Sequence, residues 1–83
     1  SYILVDNFVG IQGVDLTVVL TEDTPNFYFV SFRGNDKIRC DKIANVFGGG
    51  GHINASGCKI RGTIQNIKNR IIKAYNDNLW LDF

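Results

Sequence analysis

The chain has 83 residues, 45% of them apolar and 20% charged, with a formal net charge of +1. That length fits one domain with a modest core. The near-neutral charge excludes a general nucleic-acid coat protein but leaves room for a small nucleotide site built from a few cations and backbone amides.

In chain order, residues 2–9 (YILVDNFV) read as a short helix, because Leu4, Phe8 and Ile11 hold helical spacing while Ile3, Val5 and Val9 fall off that stripe. Gly10 and Gly13 would end it. Residues 15–21 (DLTVVLT) are β-branched and read as a strand. Residues 22–26 (EDTPN) form a turn with Pro25 as a breaker, and residues 27–32 (FYFVSF) a second strand, paired with the first as a hairpin. A loop follows at 33–37 (RGNDK). Asp41 is placed as the N-cap of a helix, DKIANVF, that buries Ile43, Val46 and Phe47. The glycine run ends that helix. Residues 57–61 (GCKIR) supply a third strand. Thr63 caps a last helix with Ile64, Ile67, Ile71 and Tyr75 as its apolar stripe, and Arg70 and Lys73 suit its C-terminal dipole. In the tail, Trp80 and Phe83 would cover a core edge or meet another domain. The expected class is α+β, a small mixed sheet packed with helices in the order α-β-β-α-β-α.

No apolar run approaches the roughly 18 residues of a membrane span, and residues 1–20 lack the basic start of a signal peptide. The expectation is a cytoplasmic domain with no membrane contact. Cys40 and Cys58 lack metal-motif and redox-motif spacing and read as reduced thiols. A zinc set of Cys40, His52 and Cys58 would want a fourth ligand.

The informative stretch is FGGGGHINASG, residues 47–57. Glycine loses more backbone freedom on folding than any other residue, so four in a row need a reason. Successive glycine N–H groups can turn inward as an anion nest. His52 would add a side-chain donor, and the ligand chemistry is that of a phosphate or phosphodiester. No Lys-Ser/Thr follows, as in a Walker loop, and no clean strand precedes, as in the dinucleotide fingerprint. The plainer alternative is a flexible loop with an incidental histidine.

KIANVFGGGGHINASG closely resembles the signature of the DHH-associated C-terminal domain of DHH-family phosphoesterases, and VSFRG resembles the family strand ending in a Ser-x-Arg element. The resemblance spans residues 1 to about 75. It implies a two-domain enzyme in which an N-terminal DHH catalytic domain of the same chain holds two divalent metals, usually manganese. The C-terminal domain would bind substrate. With one histidine and no Asp-His-His, this chain would be that substrate-binding domain, without cofactor or hydrolysis of its own.

Carried over by position, Gly48, Gly49, Gly50 and Gly51 would cradle a phosphate. His52 would contact it, and Arg33 would give a charge-assisted contact. Ser31 shares Arg33's face by strand alternation. Asn54 and Ser56 would orient the loop or touch the base, and Ala55 and Gly57 would be packing positions. Gly34, Arg39 and Cys40 depart from the common family pattern. Lys37, Arg39 and Lys42 form a loose basic cluster, and Tyr28 is a candidate for stacking a base, though surface and core roles are the ordinary ones for these residues.

The branch most similar is that of oligoribonucleases and 3′-phosphoadenosine-5′-phosphate phosphatases, which implies short RNA or a nucleotide phosphate as partner and a parent that can form a homodimer. The alternatives are a cyclic dinucleotide phosphodiesterase, a single-strand exonuclease, and the non-catalytic RNA-binding module appended to alanyl-tRNA synthetases.

Overall fold

Seven elements follow one another in a computed structural model that describes residues 3–9 and 13–81. They are β1 (Ile3–Val9), β2 (Asp15–Thr24), β3 (Phe27–Gly34), α1 (Cys40–Val46), β4 (Gly50–Gly51), β5 (Ala55–Arg61) and α2 (Ile64–Asn76). The α+β class holds. The strands form one sheet in the order β1-β2-β3-β5-β4, with every pairing antiparallel rather than mixed. Tyr2, Gly10, Ile11 and Phe83, given roles from sequence, lie outside the described residues.

The first expected element is corrected: residues 3–9 form an edge strand, so the order is β-β-β-α-β-β-α. Leu4 and Phe8 are four apart, which satisfies both a helical and a two-residue period. They face the core in the strand as they would have in a helix. The deciding residues are β-branched Ile3 and Val5, which lie on the opposite side and remain 60% and 56% exposed. Seven consecutive pairs with β2, from Ile3↔Thr21 to Val9↔Asp15, fix the register.

Alternation gives the sheet two unlike faces. Leu16, Val18 and Leu20 of β2, Tyr28, Val30 and Phe32 of β3, and Cys58 and Ile60 of β5 are buried on one face under both helices. α2 buries Ile67, Ile71 and Ala74 and crosses the β1–β2 side. There Lys68 pairs with Asp6 at 3.1 Å, and the Tyr75 hydroxyl donates to the Val14 carbonyl at 2.9 Å. Thr63 caps this helix as expected, its Oγ1 accepting from the Asn66 N–H at 3.1 Å.

α1 lies against β3, β5 and β4 and buries Cys40, Ile43 and Ala44. Its N-cap is Arg39 rather than Asp41, because the Arg39 carbonyl already accepts from the Lys42 and Ile43 N–H groups. Asp41 falls in the first turn and takes the Arg39 guanidinium in a two-pronged contact at 2.9 and 2.7 Å. That contact holds the Asp41 carboxyl below its usual range. Val46, expected in the core, is exposed, while Phe47 packs at the core's edge. Trp80 does cover a core edge, donating its indole N–H to the Tyr75 carbonyl at 2.9 Å. No helix among the described residues is long and apolar enough to cross a membrane.

Candidate functional site

The helix α1 stops because of the first two glycines. Gly48 donates its N–H to the Asn45 carbonyl at 3.1 Å, and Gly49 donates to the Ala44 carbonyl at 2.9 Å. With Gly48 at φ 82°, this is a Schellman ending, which needs a residue comfortable in the left-handed region. Gly49 is required by space instead: a Cβ there would meet the Cys58 Cβ at 2.6 Å.

The chain then turns into β4, which pairs Gly50 with Gly57 and Gly51 with Ser56. His52 and Ala55 close the hairpin by exchanging both backbone bonds, at 2.8 and 3.2 Å. By antiparallel alternation the Gly51 N–H then points away from β5, to the open edge of the sheet. The glycine run is thus a helix stop followed by an edge hairpin. It is not the nest of four inward N–H groups expected from sequence.

Alternation also decides what shares a face. Ser31, Arg33, Ala55 and Gly57 lie on the sheet's helix-free face, and the pairing of His52 with Ala55 and of Gly50 with Gly57 carries His52 and Gly50 to that side. Arg33, Ala55 and His52 form one row across three neighbouring chain segments. At about 4.8 Å per strand, Arg33 and His52 stand about 10 Å apart at the backbone with only a methyl group between them. In the next row, Ser31, Gly57 and Gly50 offer one hydroxyl and no other side chain. A cleft of about 460 Å³ opens over this floor, with Phe29, Ser31, Gly48, Gly49, Gly57 and Lys59 among its lining. Arg33 borders a second hollow of about 290 Å³ with Asp15, Thr17, Gly34 and Asn35. Two flanking donors over a small-residue floor can receive a tetrahedral anion from the solvent side.

The other sequence candidates lie elsewhere. Ser56 faces the core side and donates its hydroxyl to the Cys40 carbonyl at 2.6 Å, which ties α1 to β5. Asn54 sits at the exposed hairpin tip, and its carbonyl accepts from the Gly34 N–H at 3.2 Å. Gly34 is glycine for lack of room, since a Cβ there would meet the Cys40 Sγ at 2.9 Å. Of the basic cluster, Arg39 is engaged by Asp41. Tyr28 is buried, with its hydroxyl 3.3 Å from Glu22, so it is not the stacking residue. Its neighbours Phe27 and Phe29 occupy the open face instead. That phase was already implied by Arg33, which period two places on the side of Phe29 and not of Tyr28.

The cysteines are buried free thiols. Burial pushes Cys58 up to about 11, with Arg70 pulling slightly the other way, and burial followed by the Asp41 charge raises Cys40. Cys58 faces the helices while His52 stands on the opposite side of the sheet, so the three-residue zinc set is not assembled. Among the described residues no group of three His, Cys, Asp or Glu comes together to hold a metal ion.

A search of curated proteins returned no match. A scan of family models matched the DHHA1 domain over residues 1–80. The match covers all three segments that build the open-face row, together with the helix and the glycine hairpin that set its geometry. The chain belongs to the DHHA1 domain family, the DHH-associated C-terminal domain.

Proposed function

We propose that this chain is the substrate-binding domain of a DHH-type phosphoesterase and that it receives a nucleotide phosphate on the open sheet face, between Arg33 and His52. The observation that carries this reading is the row Arg33–Ala55–His52 above the side-chain-free floor of Gly50 and Gly57. The Arg33 guanidinium offers a planar fork that suits phosphate. No carboxylate pairs with it among the described residues. His52 offers an imidazole N–H from the other side, and the Gly51 N–H is within the same edge.

The parent enzyme would hydrolyse short oligoribonucleotides, 3′-phosphoadenosine-5′-phosphate or both. Two divalent metals in its catalytic domain would activate water and stabilise developing phosphate charge. This chain's part is to hold the nucleotide at one orientation, which converts a two-body encounter into a positioned reaction.

The test is an NMR titration of the chain with adenosine monophosphate, a 5′-phosphorylated diadenylate and cyclic di-adenosine monophosphate. Amide shifts are expected at Arg33, Gly51, His52 and Ala55, and should weaken about tenfold or more in Arg33→Ala, as for loss of a charge-assisted bond. The ranking of ligands chooses among the branches. Absence of shifts at millimolar ligand, or shifts indifferent to both Arg33→Ala and His52→Ala, would sink the reading.

A further inference from the structure

The sheet has two open edges, and they are unlike. One is β4, two glycines long. A very short edge strand is one way in which a sheet avoids unwanted pairing. The other is β1, seven residues long and paired with β2 without a bulge. Its residues, ILVDNFV, include no lysine, arginine or proline. Among the described residues no backbone bond from a helix or loop reaches it. Its one charge, Asp6, turns to the helix side and is met by Lys68 at 3.1 Å. The usual blunting of an edge by lysine, proline or a bulge is therefore absent from β1.

Backbone phase decides which groups line this edge. The Asn35 N–H donates to the Asp15 carbonyl at 3.3 Å, one step beyond the Leu16↔Gly34 pair. Odd-numbered residues of β2 therefore turn their backbone groups to β3, and even-numbered ones turn to β1. Leu16, Val18 and Leu20 meet Phe8, Asp6 and Leu4 there. Ile3, Val5 and Asn7 are left with N–H and C=O directed away from the sheet. The same three residues point their side chains to the helix-free face. Ile3 and Val5 are the two most exposed large apolar side chains among the described residues.

We infer that β1 pairs with β1 of a second copy of the chain, antiparallel about a two-fold axis at Val5. The inference does not depend on the phosphate reading. A second copy fits because the edge is self-complementary: the outward groups and β-branched side chains that one copy offers are those that the other needs. An axis at Val5 sets Val5 against Val5 and Ile3 against Asn7 on both sides. Every outward N–H and C=O from Ile3 to Asn7 then finds a partner, and the β-branched side chains at the axis face each other, which favours a sheet. An axis at Asp6 would instead oppose two carboxylates in a close pair. An axis at Leu4 would pair Ile3 with Val5 and carry Asn7 past the end of β1. In the Val5 register each Asp6 lies across from Leu4 and keeps its Lys68.

The pairing is closed. It consumes both long edges and leaves only the two-residue β4 edges, so association stops at the dimer. The axis runs perpendicular to the sheet, so the helix-free faces of both copies lie on one side. Arg33 stands two strands in from the axis and His52 further still, so both rows stay open.

The test begins with sedimentation equilibrium of the chain from micromolar to millimolar concentration, where a dimer is expected. Val5→Lys puts two cations opposite each other at the axis and should weaken the dimer about tenfold. Its circular dichroism should match the wild type, because the side chain is exposed. Val5→Cys should oxidise to a covalent dimer, because a bonded antiparallel pair holds its Cα atoms about 5.5 Å apart, within disulfide reach. Ile3→Cys should not, because the axis sets the two Ile3 positions four residues of strand apart, about 13 Å. The wild type, whose Cys40 and Cys58 are buried, gives the background. Hydrogen exchange at the Val5 and Asn7 amides should slow as concentration rises, while the Leu4, Asp6 and Phe8 amides are protected throughout.

A chain that is monomeric at millimolar concentration, with those two amides unprotected, overturns the inference. So does a dimer indifferent to Val5→Lys, which would be joined elsewhere. Cross-linking through Ile3→Cys and not through Val5→Cys would move the axis and overturn it too. Slow exchange at Val5 and Asn7 in a chain that stays monomeric would give the edge to another segment of the same chain, against the inference.

Discussion

Ser56 donates its hydroxyl to the carbonyl of Cys40, sixteen residues away, at 2.6 Å. The Cys40 N–H in turn donates to the Ile53 carbonyl at 2.8 Å. The first residue of α1 is thereby bound on both sides to the hairpin that carries His52. Ser56→Ala should cost about 0.5–1.5 kcal/mol by urea denaturation, because it removes the part-buried hydrogen bond that ties α1 to β5. If Ser56 instead touched ligand directly, the loss would appear in affinity with stability unchanged.

Gly48 and Gly49 are adjacent and should fail differently. At Gly48 a Cβ meets nothing within 4 Å, but φ is 82°, so the cost of Gly48→Ala is conformational, about 1–2 kcal/mol. Asparagine tolerates that region better, so Gly48→Asn should be the milder change. At Gly49 the obstacle is the body of Cys58 and the backbone of β5. There Gly49→Asn should be worse than Gly49→Ala, itself costing about 1–3 kcal/mol. The order of the four melting temperatures checks both claims at once.

His52 uses its backbone to close the hairpin and leaves its side chain exposed. His52→Ala should therefore change stability by no more than about 0.5 kcal/mol, while weakening phosphate binding. A large stability loss would mean that the imidazole is part of the fold.

The Cys58 thiol is neutral in the fold up to about pH 11 because it is buried, whereas a cysteine in the unfolded chain ionises near about 8.5. Between those values the folded state binds more protons, so stability is fully present below the lower one and declines as pH rises toward the upper one. Urea midpoints at pH 8 and pH 10.5 should show a larger drop for the wild type than for Cys58→Ala. Iodoacetamide should label Cys58 at pH 8 only as fast as the fold opens.

Much of this was legible in the sequence where one signal stood alone. The hairpin of β2 and β3, the cap at Thr63 and the apolar stripe of α2 follow from short-range pattern and match the structure. The first strand was hidden because Leu4 and Phe8 fit two periods, and only pairing with β2 separates them. Asp41 looked like a cap, yet a backbone carbonyl two residues earlier took that place, and the carboxylate served Arg39. From sequence alone the glycine run reads as a source of N–H groups. In the structure most of those groups are spent on α1 and the β4–β5 ladder, which depends on long-range pairing that no local pattern reveals. Phe29 and Lys59 required knowing which strands are neighbours and which face the helices leave open.

The same backbone bonds have a consequence for binding. A polyglycine segment that became ordered only around its ligand would charge the whole ordering entropy to affinity. Here Gly48 and Gly49 already close the helix, and His52 is already locked to Ala55. The segment is preorganised: its entropy is lost once, during folding, and ligand capture needs little more than rotamer choices at Arg33 and His52. Hydrogen exchange at Gly48, Gly49 and His52 should accordingly be slow in the free chain and change little on saturation, leaving the outward-facing Gly51 amide as the one that reports occupancy.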